Sequence, residues 1–355
     1  MIPIRPKPKE DEILSSWLIR CAVANGSDPE GWGGGIWDEY RIWTRDFDRS
    51  LPKPKAAPLC RAVGMTCSEI TSMTLEPLIL RITNTESLNL NTAWPWVIPT
   101  GIRNRSKFNG LHFCPECLKE AEPYCKKQWR LSWNTACAKH KTILHLRCPQ
   151  CHTVFSPHLV NYLEIDIGKC QKCGFDLRQM DAEKADDRTI YFQEVLNSSA
   201  LTGDANYPIY PDQSIRDMFA TLRMMMFLFH GVSRCQAVQR AVSELTGTDE
   251  FPVVTYTGNA LETADVTERH YLMIMCAGIF RMNIDDITKL FHKSGITRQM
   301  IDEAKHEDSP VISFLLETLP ENGRDREGVH AGKKKIEPRS KEEVEKLMDE
   351  IRRYL

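Results

Sequence analysis

Between positions 114 and 173, cysteine and histidine recur as four pairs, each pair separated by two residues: Cys114 and Cys117, Cys137 and His140, Cys148 and Cys151, Cys170 and Cys173. Two ligands at that spacing in a tight knuckle can face one ion, and a second pair folding back completes a tetrahedron. The gap between pairs is 19 residues in the first half and 18 in the second, so the stretch reads as a duplicated zinc-ribbon unit with four ligands in each copy. In chain order the pairs give one site of three thiolates and an imidazole (Cys114, Cys117, Cys137, His140) and one of four thiolates (Cys148, Cys151, Cys170, Cys173). Spacing alone leaves an interleaved pairing open.

Both quartets are closed and thiolate-rich. That favours two structural zinc ions per chain over a catalytic ion, which keeps an open position and usually takes more histidine or carboxylate. Plain buried thiols or disulfides are the simpler readings of a cysteine, but four regular pairs argue against them. Cys125, His112, His145 and His152 lie close by yet outside the repeat, and read as packing or surface residues. A ribbon of about thirty residues buries too little apolar surface to fold alone, and zinc should contribute on the order of 10 kcal/mol or more to folding it. Chelation should therefore melt this segment.

The same region is locally basic. From Gly101 to Cys173 there are 12 Lys and Arg against 5 Asp and Glu, a surplus of 7. Seven thiolates and two zinc ions return about three negative charges, leaving roughly +4. Arg103, Arg105, Lys107, Lys126, Lys127 and Arg130 are the candidate phosphate contacts on such a surface. The whole chain carries a net charge of only −2, which argues against a protein that is basic all over.

The elements around these ligands divide the 355 residues into four segments. All 8 Trp precede residue 134 and 9 of the 13 Met lie from Met218 onward, which suggests boundaries near 105 and 185. Residues 1–105 are expected to be a helical, helix-turn-helix-like domain, 106–185 the tandem zinc ribbons, 186–320 a second helical domain, and 321–355 a charged linker with a short terminal helix. The fold class is thus mainly α with small zinc-ribbon β elements.

Within the first segment, Leu14, Trp17, Leu18 and Cys21 follow helical spacing, with Glu10, Asp11 and Glu12 before them and Asn25-Gly26 after, so a helix is expected over 11–24. Residues 31–50 carry no readable period. Leu59, Ala62 and Val63 lead into Gly64, and Thr66 with Glu69 forms a capping box for a following helix, which is either a helix-turn-helix or a plain hairpin in a bundle. In the third segment, Ile215 to Phe229 carry a broad apolar face ending at Gly231, and Cys235, Val238 and Val242 continue the pattern. Helices are expected near 267–281, 284–293 and 297–306, separated by Asn283 and Ser294-Gly295, with Thr297 as a cap and Arg298, Gln299 and Lys305 exposed. This is a second helix-turn-helix candidate, weakened for DNA by Asp302, Glu303 and Glu307. Past Pro320 the chain is dense in charge, and Ser340 with Glu343 would cap a last short helix.

Nothing marks an active site. Gly33 to Gly35 are followed by Ile36-Trp37 and lack the phosphate-loop lysine. Asp186-Asp187 and Asp285-Asp286 read as solvated helix starts, and Cys21, Cys60 and Cys67 need a histidine base that no local pattern supplies. No stretch is long enough to cross a bilayer, and the opening MIPIRPKPKEDE lacks the apolar core of a signal peptide, so a cytoplasmic location with reduced thiols is expected.

Taken together, Arg5-Pro-Lys-Pro with Glu12, Ser16-Trp-Leu-Ile-Arg20, Asn25-Gly26, Met73-Thr-Leu75, Phe113-Cys-Pro-Glu-Cys117, Trp129-Arg-Leu-Ser-Trp133, Thr135-Ala-Cys-Ala-Lys-His140 and Cys148-Pro-Gln-Cys151 resemble the TniQ family of transposon target-selection proteins. The resemblance lies in the first half of the chain. It implies a non-catalytic adaptor that marks a DNA target and recruits the AAA+ regulator TnsC, with the N-terminal helix-turn-helix and the ribbons as docking and scaffold elements. In the CRISPR-linked branch it implies a head-to-tail homodimer seated on a guide-RNA-loaded Cascade effector. In the TnsD branch the protein reads duplex DNA itself, generally with a longer C-terminal half. Length and near-neutral charge favour the first branch, since an autonomous reader needs a stronger basic footprint. An RNA-binding zinc protein is a further class, because Trp129 and Trp133 could stack bases, although tryptophans four apart more commonly form core.

Overall fold

Helix α1 (Leu14–Ala24) starts three residues later than the sequence period suggests. The reason lies in the two carboxylates expected in its first turn. Asp11 has φ 54° and accepts the Gln128 amide at 3.1 Å. Glu12 turns inward, 2% exposed, and accepts from Arg20 Nη1 (2.7 Å), Ser16 Oγ (3.0 Å) and the Lys9 amide (3.0 Å). Both carboxyls are raised above their usual range by burial. They tie segments together instead of capping a dipole.

The structure, a computed structural model, describes residues 2–37, 41–100, 102–103, 106–107, 111–160, 165–205, 213–233, 235–251 and 261–321. Helix α2 (Pro29–Ile36) crosses the stretch with no readable period: Asp28 accepts the Gly31 amide at 2.7 Å and Pro29 opens the first turn, which suffices for a helix three glycines would disfavour. Helices α3 (Lys53–Val63) and α4 (Cys67–Ser72) meet at Gly64, whose φ of 66° is the left-handed geometry glycine tolerates. The expected Thr66–Glu69 capping box is formed. Yet α4 spans six residues and its only charge is Glu69, so this helix-turn-helix has no basic second helix to set against phosphates. Helix α5 (Glu76–Ile82) follows.

The middle of the chain contributes short elements: antiparallel β1 (Ile102–Arg103) with β2 (Ser106–Lys107), helix α6 (Pro115–Leu118), and antiparallel β3 (Ala136–Cys137) with β4 (Thr142–Ile143). The remainder is helical: α7 (Asp187–Thr202), α8 (Ile215–His230), α9 (Gln236–Thr246), α10 (Val266–Ile279), α11 (Ile284–Ser294), α12 (Arg298–Ala304) and α13 (Pro310–Thr318). The apolar face of α8 is buried, and the pattern expected to continue it through Val242 belongs to a separate helix, α9. Gly295 (φ 83°) ends α11, and the Thr297 hydroxyl accepts the Met300 amide to start α12. Arg298 and Gln299 are exposed there, whereas Lys305 is held by Asp302 at 3.2 Å and Asp308 at 3.5 Å. Helix α13, capped by Ser309 with Pro310 at its first position, had no counterpart in the sequence reading. The terminal helix expected at Ser340 lies outside the described residues, as does most of the linker before it. No helix among the described residues is long and apolar enough to cross a membrane.

One apolar cluster joins Leu75, Ile79, Trp96 and Trp133 to Phe192, Phe219, Phe229, Met273 and Ile312, so the first and third segments share a core across the lines drawn at 105 and 185. Between them runs a strap: residues 129–137 are buried without a break. A buried irregular chain must find partners for its polar groups. Arg130, fully buried, donates to both Asp46 oxygens (3.1 and 2.8 Å) and to the Ile98 carbonyl (2.8 Å), with Asp48 at 3.5 Å. Asp48 in turn accepts the Ser15 amide (2.8 Å) and hydroxyl (2.7 Å). On the other side, Gln193 of α7 accepts the Thr135 and Ala136 amides (2.8 and 3.1 Å) and donates to the Ala136 carbonyl (2.8 Å), while Asn197 Oδ1 accepts from Trp133 Nε1 (2.9 Å). From α10, Arg269 Nη1 donates to the Ser132 carbonyl at 2.8 Å and His270 Nδ1 meets Thr135 Oγ1 at 2.8 Å.

Removing one partner of a buried pair strands the other charge. Arg130→Ala should cost roughly 3–5 kcal/mol in denaturant unfolding, well beyond the ~1 kcal/mol typical of surface changes. His270 supplies a second test. Burial holds its imidazole below the ordinary value, so the folded state resists a proton that the unfolded chain binds near pH 6.5. Its contribution is complete above about pH 6.5 and lost as pH falls toward the folded value. With metal kept saturating, His270→Gln should flatten the loss of stability between about pH 7.5 and 5.5.

Candidate metal centres

The four pairs assemble in chain order. The ligand atoms of Cys114, Cys117, Cys137 and His140 all lie within 4.8 Å of one another, and so do those of Cys148, Cys151, Cys170 and Cys173. In the first cage His140 Nδ1 is 3.5 Å from Cys114 Sγ, 3.3 Å from Cys117 Sγ and 3.6 Å from Cys137 Sγ, and the Cys117 and Cys137 sulfurs are 3.6 Å apart. In the second, Cys148–Cys173 and Cys151–Cys170 measure 3.6 and 3.5 Å. Tetrahedral zinc with Zn–S near 2.3 Å and Zn–N near 2.05 Å would set S···S at about 3.8 Å and S···N at about 3.6 Å. The cages match that size, the cysteines are free thiols, and the donor set suits zinc.

The backbone explains how two-residue spacers achieve this. After the second ligand of three of the pairs the chain turns left-handed, at Lys141 (φ 55°), His152 (φ 56°) and Gly174 (φ 75°). That turn brings the next amide back onto the first ligand's carbonyl: Lys141 to Cys137 (2.8 Å), His152 to Cys148 (3.0 Å) and Gly174 to Cys170 (2.8 Å). Only one of these positions is a glycine, which is why the sequence did not reveal the device. At Cys114–Cys117 helix α6 replaces the knuckle, with the Leu118 amide on the Cys114 carbonyl at 3.2 Å.

The cages differ in setting. Cys114, Cys117 and Cys137 are buried, in a cluster with Trp129, Ile143, Ile190 and Val266 that joins the cage to α7 and α10. Cys173 is exposed and Cys151 half-buried. Within each cage, thiols that donate to a neighbouring sulfur favour one thiolate. Cys114 is pulled well below a free thiol by Cys117 and Cys137, which are pushed up; Cys151 falls to about 6, where burial opposes and Thr153 and neighbouring thiols favour the anion. A bound divalent cation would replace the shared protons and leave about −1 on the first cage and −2 on the second.

Cys125, His112, His145 and His152 belong to neither cage. Cys125 is buried and its amide donates to Ser16 Oγ (2.9 Å), His112 Nε2 faces Arg269 Nη2 (3.0 Å), and His145 pairs by backbone with Phe113. The candidate phosphate contacts fare differently. Arg130 is not on the surface at all: its charge is spent on Asp46 and Asp48 inside the core. Lys127 points at the Ser72 carbonyl (2.8 Å), and burial lowers its pKa. Lys126 is half-buried and pairs by backbone with Glu12. Arg105 and the side chains of Arg103 and Lys107 lie outside the described residues. Trp129 and Trp133, read as possible base-stacking platforms, are 3% and 0% exposed. Among the carboxylate pairs, Asp186 caps α7 by accepting the Thr189 amide (3.0 Å), and Asp285 and Asp286 sit in the first turn of α11.

A helical body joined to two thiolate-rich cages defines a mainly α protein with two candidate metal-binding clusters. Its residues 3–144 match the TniQ family model, so the chain carries a TniQ domain, and with it the mark of a transposition-associated protein. The match takes in α1 to α6, the buried strap and the whole first cage, and stops before Cys148. No curated protein matches the chain.

Exposure predicts unequal release. A chromogenic chelator should withdraw metal in two phases of one ion each. Cys151→Ser should remove the fast phase and Cys117→Ser the slow one, each lowering metal content from two ions to one per chain. Full occupancy in either variant contradicts the ligand assignment.

Proposed function

We propose that this protein is a non-catalytic target-selection adaptor in DNA transposition, with zinc in both cages as a structural metal. In this reading it joins a guide-RNA-loaded Cascade effector at the target to the AAA+ regulator TnsC and through it to the transposase. The observation that carries the proposal is the TniQ domain itself, together with the use its motif residues are put to. Trp17, Arg20, Trp129, Arg130, Trp133 and Thr135 are buried or engaged in ties between segments, and the first cage anchors the strap at Cys137. Such residues make a rigid body with surfaces to present, which is what an adaptor between two larger assemblies requires.

The same contacts weigh against the alternatives. A protein that reads duplex DNA directly depends on phosphate contacts from Lys and Arg. Of the candidate cations, Arg130 is paired inside the core and Lys127 is bonded to its own chain. A base-stacking role for Trp129 and Trp133 would require unpacking the core. A head-to-tail homodimer and a cytoplasmic location belong to the same reading.

Size exclusion of the purified protein mixed with guide-loaded Cascade from its own locus, run beside an equal amount of duplex DNA alone, tests the proposal. Co-elution with Cascade and not with DNA is the expected result. Binding to DNA alone would assign the protein to the autonomous target readers.

A further inference from the structure

Two cysteines outside the cages meet across the turn between α3 and α4. Cys60 Sγ and Cys67 Sγ lie 2.8 Å apart. A disulfide needs about 2.0 Å, so the sulfurs have to approach by about 0.8 Å, within reach of small side-chain rotations. Cys67, the first residue of α4, is exposed, and Cys60 in α3 is partly accessible. The other thiols outside the cages differ. Cys21 and Cys276 are sealed in the core, where burial raises both, Cys21 to about 12, and Cys125 is buried beneath α1. A metal is a poor occupant for the pair: it joins no cluster of three or more donors among the described residues, and Glu69, the nearby acid, is committed to capping through Thr66.

We propose that Cys60 and Cys67 are a modification site that forms a reversible disulfide by exchange with a low-molecular-weight disulfide, for which oxidised glutathione is the probe. The exposed Cys67 thiol loses its proton to water and its sulfur attacks one glutathione sulfur; the glutathione S–S bond breaks, and the departing glutathione thiolate takes that proton up. Cys60 then loses its proton to water and attacks the Cys67 sulfur, releasing the second glutathione. Two protein thiols are oxidised by two electrons and one glutathione disulfide is reduced to two thiols. The order follows from the setting. Burial, reinforced by the neighbouring Cys67, pushes the Cys60 thiol up to about 11. Converting Cys67 to a mixed disulfide takes away the neighbouring thiol that raises Cys60 and eases its ionisation.

The bond would close an eight-residue loop, positions 60 to 67, around Gly64. The N-terminal segment docks on this same turn: Arg5 Nη1 donates to the Val63 carbonyl at 2.6 Å, and the Ile2 amide to the Ala62 carbonyl at 3.0 Å. Oxidation therefore locks the hinge of the first helix-turn-helix together with the N-terminal segment docked on it.

The test uses the full-length, metal-loaded protein equilibrated with oxidised glutathione, blocked by alkylation and digested with trypsin without reduction. Arg61 separates the two cysteines, so the disulfide is read by mass spectrometry as a cross-linked pair of peptides that dithiothreitol releases. Cys60→Ser should stop at a glutathione adduct on Cys67 with metal content unchanged. Hydrogen exchange across residues 53–72 should slow by roughly tens of fold in the oxidised wild type and not in that variant, from loop-closure entropy. Separate glutathione adducts on both residues, two alkylated thiols, or a bond from either to a cage cysteine would overturn the proposal.

Discussion

A buried length of irregular chain governs this structure. Residues 129–137 lie inside the protein with no long ladder to satisfy their peptide groups, and an unpaired buried amide or carbonyl costs about 1–3 kcal/mol. Elements on both sides of it meet much of that demand. Asp46 and Asp48 hold Arg130 from one side, Gln193, Asn197, Arg269 and His270 hold the strap from the other, and Trp96 accepts the Ser132 amide at 2.8 Å through its carbonyl. The strap ends in Cys137, a ligand of the first cage. Metal site and helical core are thereby one mechanical system, and the cage fixes the end of the segment that the core is built around.

This explains which features were legible in the sequence. The ligand pairs could be read because metal geometry restricts spacing, and α10 to α12 could be read because Asn283, Gly295 and Thr297 are local stop and start signals with local causes. The helix pair around Gly64 was legible for the same reason. Where a residue's role is set by a distant partner, local reading failed. Asp11 and Glu12 looked like first-turn carboxylates and are engaged by Gln128 and Arg20 instead. Arg130 looked like a surface cation because its neighbours Lys126 and Lys127 are basic, whereas its carboxylate partners are over 80 residues earlier in the chain. Helix α2 was hidden by its glycines and rests on the Asp28 cap.

The two cages also divide the labour implied by a TniQ domain. The first lies inside the matched span and is packed on α7 and α10, so it belongs to the body. The second lies beyond the span, with a half-buried and an exposed thiol, and packs with Phe113, Phe155 and Leu177 beside the start of α1. An ion in the first cage would brace the core directly; one in the second would hold the segment around Phe155 and Leu177 beside the start of α1. The adaptor role proposed above would draw on this arrangement, because elements tied to one core and one strap cannot shift independently.

Hydrogen exchange on the metal-loaded protein and on a Cys117→Ser variant measures this coupling most directly. If the strap transmits the cage to the core, loss of the first metal raises exchange in residues 129–137 and, together with them, in α7 and α10. Exchange confined to the cage loops, with α7 and α10 as protected as before, would contradict the account.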